Sequence, residues 1–218
     1  MEPGQIFDMV FYMELIGTVA FAASGAMTGI NCGMDIFGVC VLGVITAVGG
    51  GMTRDVILGN IPGALVRPMY VTVAVAAALL VFFVLYFKRS MLQGKTGVWY
   101  DRVMLVMDSV GLGVFTAMGV MTGIRNGYPE NTFLLVFLGT LTGVGGGLLR
   151  DMMAGVPPYI FVKHIYACAS VTGALCCVWI YRSFGQIPAM LISSVLVIMI
   201  RFLAAYFHWN LPRIRQDT

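Results

Sequence analysis

The chain has 218 residues, of which 59% are hydrophobic and only 11% are charged, and its formal net charge is +3. Soluble domains contain roughly 45–50% apolar and about 25% charged residues, so a soluble fold of this length could not bury so much apolar surface. A lipid bilayer can cover that surface, and the composition therefore predicts an integral membrane protein. The small net charge gives no reason to expect a nucleic-acid partner.

Seven stretches of the chain are long and apolar enough to form membrane-spanning helices. A hydrocarbon core of roughly 30 Å requires about 20 mostly apolar residues per helix. The seven stretches are Met9–Met27, Ile36–Leu58, Met69–Phe87, Val103–Ile124, Thr132–Met153, Tyr159–Tyr181 and Ile187–Phe207. Short connections rich in turn-forming residues join them, and no linker marks a second domain. We therefore predict one all-α membrane domain over residues 1–218.

The distribution of cationic residues predicts the orientation of these helices. The densest cluster lies between the third and fourth stretches and consists of Lys88, Arg89, Lys95 and Arg102. The tail adds Arg213 and Arg215. In a seven-helix chain both regions lie on the same side, and the positive-inside rule places that side in the cytoplasm. The N-terminus is then outside, although three arginines remain on the outer side.

The chain contains an internal repeat. Residues 45–59 read ITAVGGGMTRDVILG and residues 141–155 read LTGVGGGLLRDMMAG. The matched positions are Gly49, Gly50, Gly51, Arg54 and Asp55 in the first copy and Gly145, Gly146, Gly147, Arg150 and Asp151 in the second, at an offset of 145 − 49 = 96. Upstream, Glu14 matches Asp108 and Phe21 matches Phe115, at an offset of 108 − 14 = 94.

Each copy of the repeat contains three predicted helices, the first over about residues 9–87 and the second over about residues 103–181. Because three is odd, the second copy begins on the opposite side of the membrane and has inverted topology. Inverted repeats of this kind are common in transporters, where a pseudo-two-fold axis in the membrane plane relates the copies. The seventh helix, at about residues 187–207, lies outside the repeat, and we expect it to serve packing or assembly.

The glycine triplets have two interpretations. Small residues let neighbouring helices approach closely, which would make the triplets packing features. Alternatively they permit an unwound turn whose carbonyl and amide groups line a polar cavity. Glycine breaks at matched positions of two halves indicate a transporter site, and we therefore expect both triplets to interrupt their helices beside a pathway.

The charged residues of the repeat also have two interpretations. Adjacent side chains point about 100° apart on a helix, so we expect Arg54 and Asp55 to find partners other than each other. They either extend to the membrane surface, or inversion places one Arg-Asp pair towards each mouth of a shared pathway. Glu14 and Asp108 either line that pathway or stabilise a helix N-terminus, and Glu14 is the better pathway candidate. Phe21 and Phe115 either form symmetric constrictions or simply pack.

No cofactor, metal or catalytic site is predicted. The five cysteines and two histidines lack metal-ligand spacing, and no histidine is placed to act as a base for a serine nucleophile. An enzyme is therefore not expected, whereas a purely structural scaffold would leave the matched glycines unexplained.

The two GGG-x-x-RD segments, within GVITAVGGGMTRDVILGNIP and GTLTGVGGGLLRDMMAGVPP, resemble the prokaryotic glycine-transporter family, which is related to the trimeric intracellular cation (TRIC) channels. The resemblance covers nearly the whole chain. It implies a TRIC-like fold of two inverted three-helix repeats plus a seventh helix, kinked at Gly49–Gly51 and Gly145–Gly147. It also implies a homotrimer in the bacterial inner membrane with a pathway inside each protomer. Eukaryotic TRIC channels carry a lysine-containing sequence where this chain has Met52-Thr53-Arg54-Asp55.

Two functions follow as hypotheses. The first is a permease for a small zwitterion, with glycine suggested by the resemblance, because opened helices and the Arg-Asp pairs offer donors for a carboxylate and acceptors for an ammonium. The second is a TRIC-like monovalent cation channel for potassium, in which carbonyl groups and aspartates attract the ion. The sequence leaves the substrate, the coupling ion and the gating repeat undetermined.

Overall fold

The computed structural model describes residues 3–87, 96–162 and 165–209, and every regular element in these ranges is a helix. Seven of the described helices are long and apolar enough to cross a membrane, which confirms the predicted all-α membrane fold. In chain order the helices are α1 (Pro3–Asn31), α2 (Ile36–Ile57), α3 (Gly63–Val66), α4 (Met69–Phe87), α5 (Thr96–Arg125), α6 (Thr132–Met153), α7 (Tyr159–Val162), α8 (Tyr166–Phe184) and α9 (Gln186–Tyr206).

The third and fifth predicted stretches coincide with α4 and α6, whereas the sixth was placed wrongly. The predicted span Tyr159–Tyr181 is two elements, the short helix α7 and the membrane helix α8. The counterpart of α7 in the first repeat is the short helix α3, which was not predicted. Pro62 and Pro158 directly precede α3 and α7, and proline favours the first turn of a helix because its φ angle is already helical. These single turns lead the chain back into the membrane after α2 and α6.

The two repeats share their local structure as well as their sequence. Asp35 and Asn131 cap α2 and α6, accepting hydrogen bonds from the backbone N–H groups of Gly38 at 2.7 Å and Leu134 at 3.0 Å. Both helices are followed by a glycine of positive φ, 72° at Gly59 and 68° at Gly155. Because the membrane helices alternate in direction, α2 ends on the face at which α1 begins, here the N-terminal face. Helix α6 ends on the opposite C-terminal face.

The expected interruption of α2 and α6 at the glycine triplets is wrong. Both helices continue through the triplets. The middle glycines instead lie where α2 and α6 cross. A methyl group on Gly50 would overlap the carbonyl oxygen of Thr142, and one on Gly146 would overlap that of Thr46. The helices need glycine here because two backbones touch, which is the packing interpretation of the triplets.

Helix α9 packs mainly against α5 and α8 of the second repeat and barely touches α1. It therefore adds to one half of the molecule a helix that the other half lacks. Five of the residues behind the orientation prediction lie outside the described residues, namely Lys88, Arg89, Lys95, Arg213 and Arg215. The outward placement of the N-terminus stays a prediction.

Candidate functional site

The repeat-related charged residues gather in two polar clusters at opposite faces of the helix bundle. The first polar cluster, near the N-terminal face, consists of Glu14, Arg54, Asp55 and Tyr70. The second polar cluster, near the C-terminal face, consists of Asp108, Arg150, Asp151, Tyr166 and Arg201. Four members of the second cluster match the four members of the first, and Arg201 has no counterpart.

In the second cluster, Arg150 is fully buried and holds several groups together. Its Nε donates to Asp151 Oδ1 at 2.8 Å, and its Nη1 donates to Asp108 Oδ1 at 2.7 Å and to the hydroxyl of Ser24. Asp151 also accepts at Oδ2 from the backbone N–H of Tyr159, at 2.8 Å. These contacts join α1, α5, α6 and α7 through one guanidinium. A buried charge of this kind is tolerated because it is paired and hydrogen-bonded.

Tyr166 and Arg201 complete the second cluster. The Tyr166 hydroxyl donates to Asp108 Oδ1 at 3.4 Å. Arg201, from α9, is 2% exposed and places its guanidinium carbon 4.7 Å from the centroid of the Tyr166 ring. Its Nη2 lies 3.8 Å from Asp108 Oδ2, close enough for an ion pair without a hydrogen bond. The buried Asp108 carboxylate therefore lies between two arginines.

The first cluster repeats much of this geometry. Arg54 donates to Asp55 Oδ1 from Nε at 2.9 Å and from Nη2 at 2.7 Å. Asp55 Oδ2 accepts from the backbone N–H of Gly63 at 2.9 Å, as Asp151 does from the residue 159 − 63 = 96 positions further on. The Tyr70 hydroxyl donates to Glu14 Oε2, the counterpart of the Tyr166–Asp108 contact.

The expectation that the Arg and Asp of each pair find separate partners is wrong for Arg54, which pairs with Asp55, whereas Arg150 pairs with Asp151 and also finds partners elsewhere, in Asp108 and Ser24. In both copies the arginine curls back onto the adjacent aspartate, because its long side chain reaches across the angle between neighbouring positions. The surface interpretation is also wrong for the second copy, since the side chain of Arg150 is 0% exposed, whereas that of Arg54 is 13% exposed. Ion pairing within each copy leaves the aspartate's second oxygen to fix the short helix that follows.

The first cluster lines a partly open cavity of about 80 Å³. Its charged and polar lining comprises Glu14, Thr18, Arg54, Asp55 and Tyr70, and its apolar lining includes Phe115 and Met118. The matched residues of the second cluster are buried, with Tyr166 3% exposed and Asp108 not exposed at all. Two related clusters therefore exist in different states, one beside a cavity and the other sealed.

Phe21 and Phe115 meet at the centre of the bundle. Their ring centroids lie 5.3 Å apart with the ring planes inclined by 36°. Phe115 lines the cavity, whereas Phe21 is 1% exposed. Each ring covers a glycine of the other repeat, since a methyl group on Gly111 would overlap Phe21 and one on Gly17 would lie 3.1 Å from Phe115. Of the aromatic pair, Phe115 therefore borders the cavity, and the role of the pair as a constriction remains a prediction.

The three glycines of each triplet lie beside different neighbours. Outside the crossing formed by Gly50 and Gly146, the third glycines face the polar clusters. Gly51 lines the cavity, and a methyl group on Gly147 would lie 2.8 Å from the Tyr166 hydroxyl. The first glycines, Gly49 and Gly145, also lie at the α2–α6 contact.

Arg201 is the member of the two clusters that sequence comparison within the chain could not reveal. It has no repeat partner, because α9 lies outside the repeat. A cation within the apolar run ISSVLVIMIRFLAAYF was nevertheless an indication, since ionisable residues inside membrane helices usually pair and serve function. Among the described residues, no group of three or more His, Cys, Asp or Glu side chains is placed to hold a metal ion.

Comparison with known proteins agrees with this architecture. The family model for glycine transporters matches residues 11–86 and 105–182, one block in each repeat. Inner membrane protein YadS of Escherichia coli strain K12 is 34% identical over 213 residues, which cover 96% of this chain and 98% of YadS.

Solved structures of TRIC proteins share the fold. A prokaryotic TRIC channel, crystallised in 0.5 M KCl, superposes with a TM-score of 0.84 at 28% identity, covering 94% of this chain and all of that chain (100%). The trimeric intracellular cation channel orthologue from Rhodobacter sphaeroides superposes with a TM-score of 0.81 at 27% identity, covering 92% of this chain and 99% of that chain.

Proposed function

Because this chain belongs to the glycine transporter family, we propose that it carries glycine or a similar small zwitterion across the bacterial inner membrane. The family and the fold support transport across a membrane, by a permease or by a channel, whatever the substrate. We place the pathway inside each protomer, between the two polar clusters, with Phe21 and Phe115 between them. Like the trimeric Rhodobacter sphaeroides orthologue, the protein is proposed to be a homotrimer.

The chemistry of the cavity supports a zwitterionic substrate. Glu14 offers carboxylate oxygens to an ammonium group, and the Arg54 guanidinium, which Asp55 holds in place, offers donors to a carboxylate. The apolar part of the lining, at Ala47, Val48 and Met118, offers no side-chain hydrogen-bonding group to a substrate with a larger polar side chain. A small substrate with one charge of each sign suits this combination.

The observation that carries the proposal is the difference between the two clusters. An open pore requires a continuous polar route, whereas here one cluster borders a cavity and its inverted counterpart is sealed. In an inverted-repeat carrier, the two halves exchange these states during transport. Such a carrier would expose the first cluster in one state and the second in the other, on opposite faces of the membrane. The N-terminal face, predicted to be outside, is the face towards which the cavity now lies.

A monovalent cation channel is the second candidate. It is favoured by the structural similarity to the prokaryotic TRIC channel and by the carboxylates in the cavity, which would attract potassium. Against it, each Arg-Asp pair places a guanidinium beside the carboxylate that would bind the ion.

Reconstituted vesicles distinguish the two functions. We would measure radiolabelled glycine uptake and potassium flux in the same proteoliposomes, comparing the wild-type protein with Asp55→Asn. The matched control is Asp35→Asn, which changes an exposed carboxylate into another good N-cap residue. Saturable glycine uptake that is lost in Asp55→Asn and kept in Asp35→Asn supports the permease. Potassium flux without glycine uptake would contradict it and establish the channel.

A further inference from the structure

We infer that Arg201 is a positioning residue that keeps the C-terminal face sealed and so determines which face of the pathway is open. Helix α9 carries this residue to the second cluster only. The inference deepens the proposed function, because it identifies what makes two inverted halves of similar sequence adopt different states.

The second cluster has balanced charges. In the second cluster, two carboxylates, Asp108 and Asp151, lie within ion-pairing distance of two guanidiniums, Arg150 and Arg201. Such a cluster is electrically neutral. Neutrality allows it to be buried away from water, since an uncompensated charge in the interior would retain solvent or shift its protonation.

The first cluster lacks that balance. Of its two carboxylates, Glu14 and Asp55, only Asp55 is within ion-pairing distance of an arginine among the described residues. Glu14 instead accepts from Tyr70 and faces the cavity. Arg67 interacts with the Tyr70 hydroxyl and Arg125 attracts Glu14, but both are exposed residues at the rim, whereas Arg201 is 2% exposed. Their charges are screened by water and do not bury Glu14. Without Arg201 the second cluster would hold two buried carboxylates, Asp108 and Asp151, against one buried guanidinium, Arg150.

Arg201 contacts both Tyr166 and Asp108. Its guanidinium covers the Tyr166 ring at 4.7 Å, and Tyr166 in turn packs in the apolar cluster that holds Ile160 of the short helix α7. The residue therefore holds the tyrosine and the carboxylate of the second cluster together. Its ion pair with Asp108 is 3.8 Å long, and neither Asp108 Oδ2 nor Arg201 Nε has a hydrogen-bond partner among the described protein groups. A contact that rests on charge and ring stacking alone can break and re-form as the half opens and closes.

Thiol labelling from water tests the inference directly. Ala64 in α3 and Ile160 in α7 occupy matched positions, 160 − 64 = 96 residues apart, beside the first and second clusters respectively. Single cysteines at these positions, in a background whose five native cysteines are replaced by alanine, report the exposure of each face to a membrane-impermeant maleimide. The protein is labelled in vesicles after its thermal unfolding has confirmed a folded state. In the parent we expect Ala64→Cys to react faster than Ile160→Cys, because Ala64 borders the cavity whereas Ile160 packs against the buried Tyr166.

Removing the charge should reverse this preference. In Arg201→Met we expect Ile160→Cys to react about tenfold faster and Ala64→Cys to react more slowly, because both faces do not open together. Arg201→Lys should restore part of the protection. In an Asp108→Asn background, Arg201→Met should have little additional effect, because there is then no carboxylate to neutralise. Arg182→Met, which removes an exposed arginine on the N-terminal side, is the matched control.

Unchanged labelling of Ile160→Cys in a folded Arg201→Met protein would overturn the inference. An equal increase in Arg182→Met would also overturn it, because the effect would then follow net charge and not the position of Arg201. Labelling does not require flux. A protein that shows the labelling shift but no glycine uptake would therefore refute the proposed substrate while leaving the role of Arg201 intact.

Discussion

The crossing of α2 and α6 gives a sharp test of what the glycine triplets do. In Gly50→Ala the new methyl group would overlap the Thr142 carbonyl oxygen and lie 3.1 Å from the backbone nitrogen of Gly146. Neither neighbour is a side chain that could rotate away, so the helices must move apart by about 1 Å to restore van der Waals distance. In Gly51→Ala, one position further on, the methyl group would meet only Arg54 Nη2, at 3.7 Å.

The two substitutions should affect the free energy of unfolding differently. Alanine is favoured over glycine inside a helix by about 1 kcal/mol, and both variants gain that contribution. Overpacking costs about 1–3 kcal/mol or more where the surroundings cannot relax, and only Gly50→Ala incurs it. We therefore expect Gly50→Ala to lower the free energy of unfolding by up to about 2 kcal/mol, and Gly51→Ala to leave it unchanged or raise it.

Thermal unfolding in detergent compares the two variants with a parent protein in which the cysteines other than Cys177 are replaced by alanine. Unfolding is followed by the reaction of the buried Cys177 with a fluorogenic maleimide. A shift of 1 kcal/mol corresponds to roughly 2–4 °C in melting temperature for a chain of this length. Gly50→Ala should therefore melt several degrees below Gly51→Ala. Equal melting temperatures would refute the close backbone contact and return the triplets to the interpretation in which they serve as hinges alone.

Two further predictions concern the polar clusters. Arg150→Met should destabilise the protein by about 3–5 kcal/mol, because it leaves the Asp108 carboxylate buried without its closest cation. Arg54→Met should cost no more than about 1 kcal/mol, because Arg54 is more exposed. The melting temperatures of both variants test this, and equal losses of stability would contradict it. Glu14→Gln should leave the melting temperature unchanged but abolish glycine uptake. Tyr70→Phe should reduce uptake less, because the Glu14 carboxylate remains. Full uptake by Glu14→Gln in vesicles would exclude this residue from the pathway.

Much of the fold was predictable because the bilayer imposes it. Lipid requires long apolar helices with satisfied backbones, so the positions of α4 and α6 follow from the apolar runs alone. The inverted arrangement follows from the GGG-x-x-RD repeat and an odd helix count. The break between α7 and α8 was missed because the four residues of α7 are themselves apolar, and hydropathy does not separate them from the span that follows.

The site was less predictable because its geometry depends on contacts between helices. Whether Gly50 breaks α2 or lets another backbone approach depends on the Thr142 carbonyl, which is distant in sequence. The pairing of Arg54 with Asp55 depends on a side-chain conformation that helical periodicity does not specify. Arg201 was missed for a different reason: the internal repeat identifies residues only at matched positions, and α9 has no counterpart in the first copy.

The position of α9 outside the repeat has a consequence for the origin of the protein. A single three-helix copy can form the α2–α6 crossing only with a second copy inserted upside down, so an ancestor of one repeat would have to insert in both orientations and pair as an antiparallel dimer. Identical subunits of such a dimer would favour neither face of the membrane. Fusion of two such copies would fix their opposite orientations, and a helix such as α9 added to one of them would make the two faces of the molecule different.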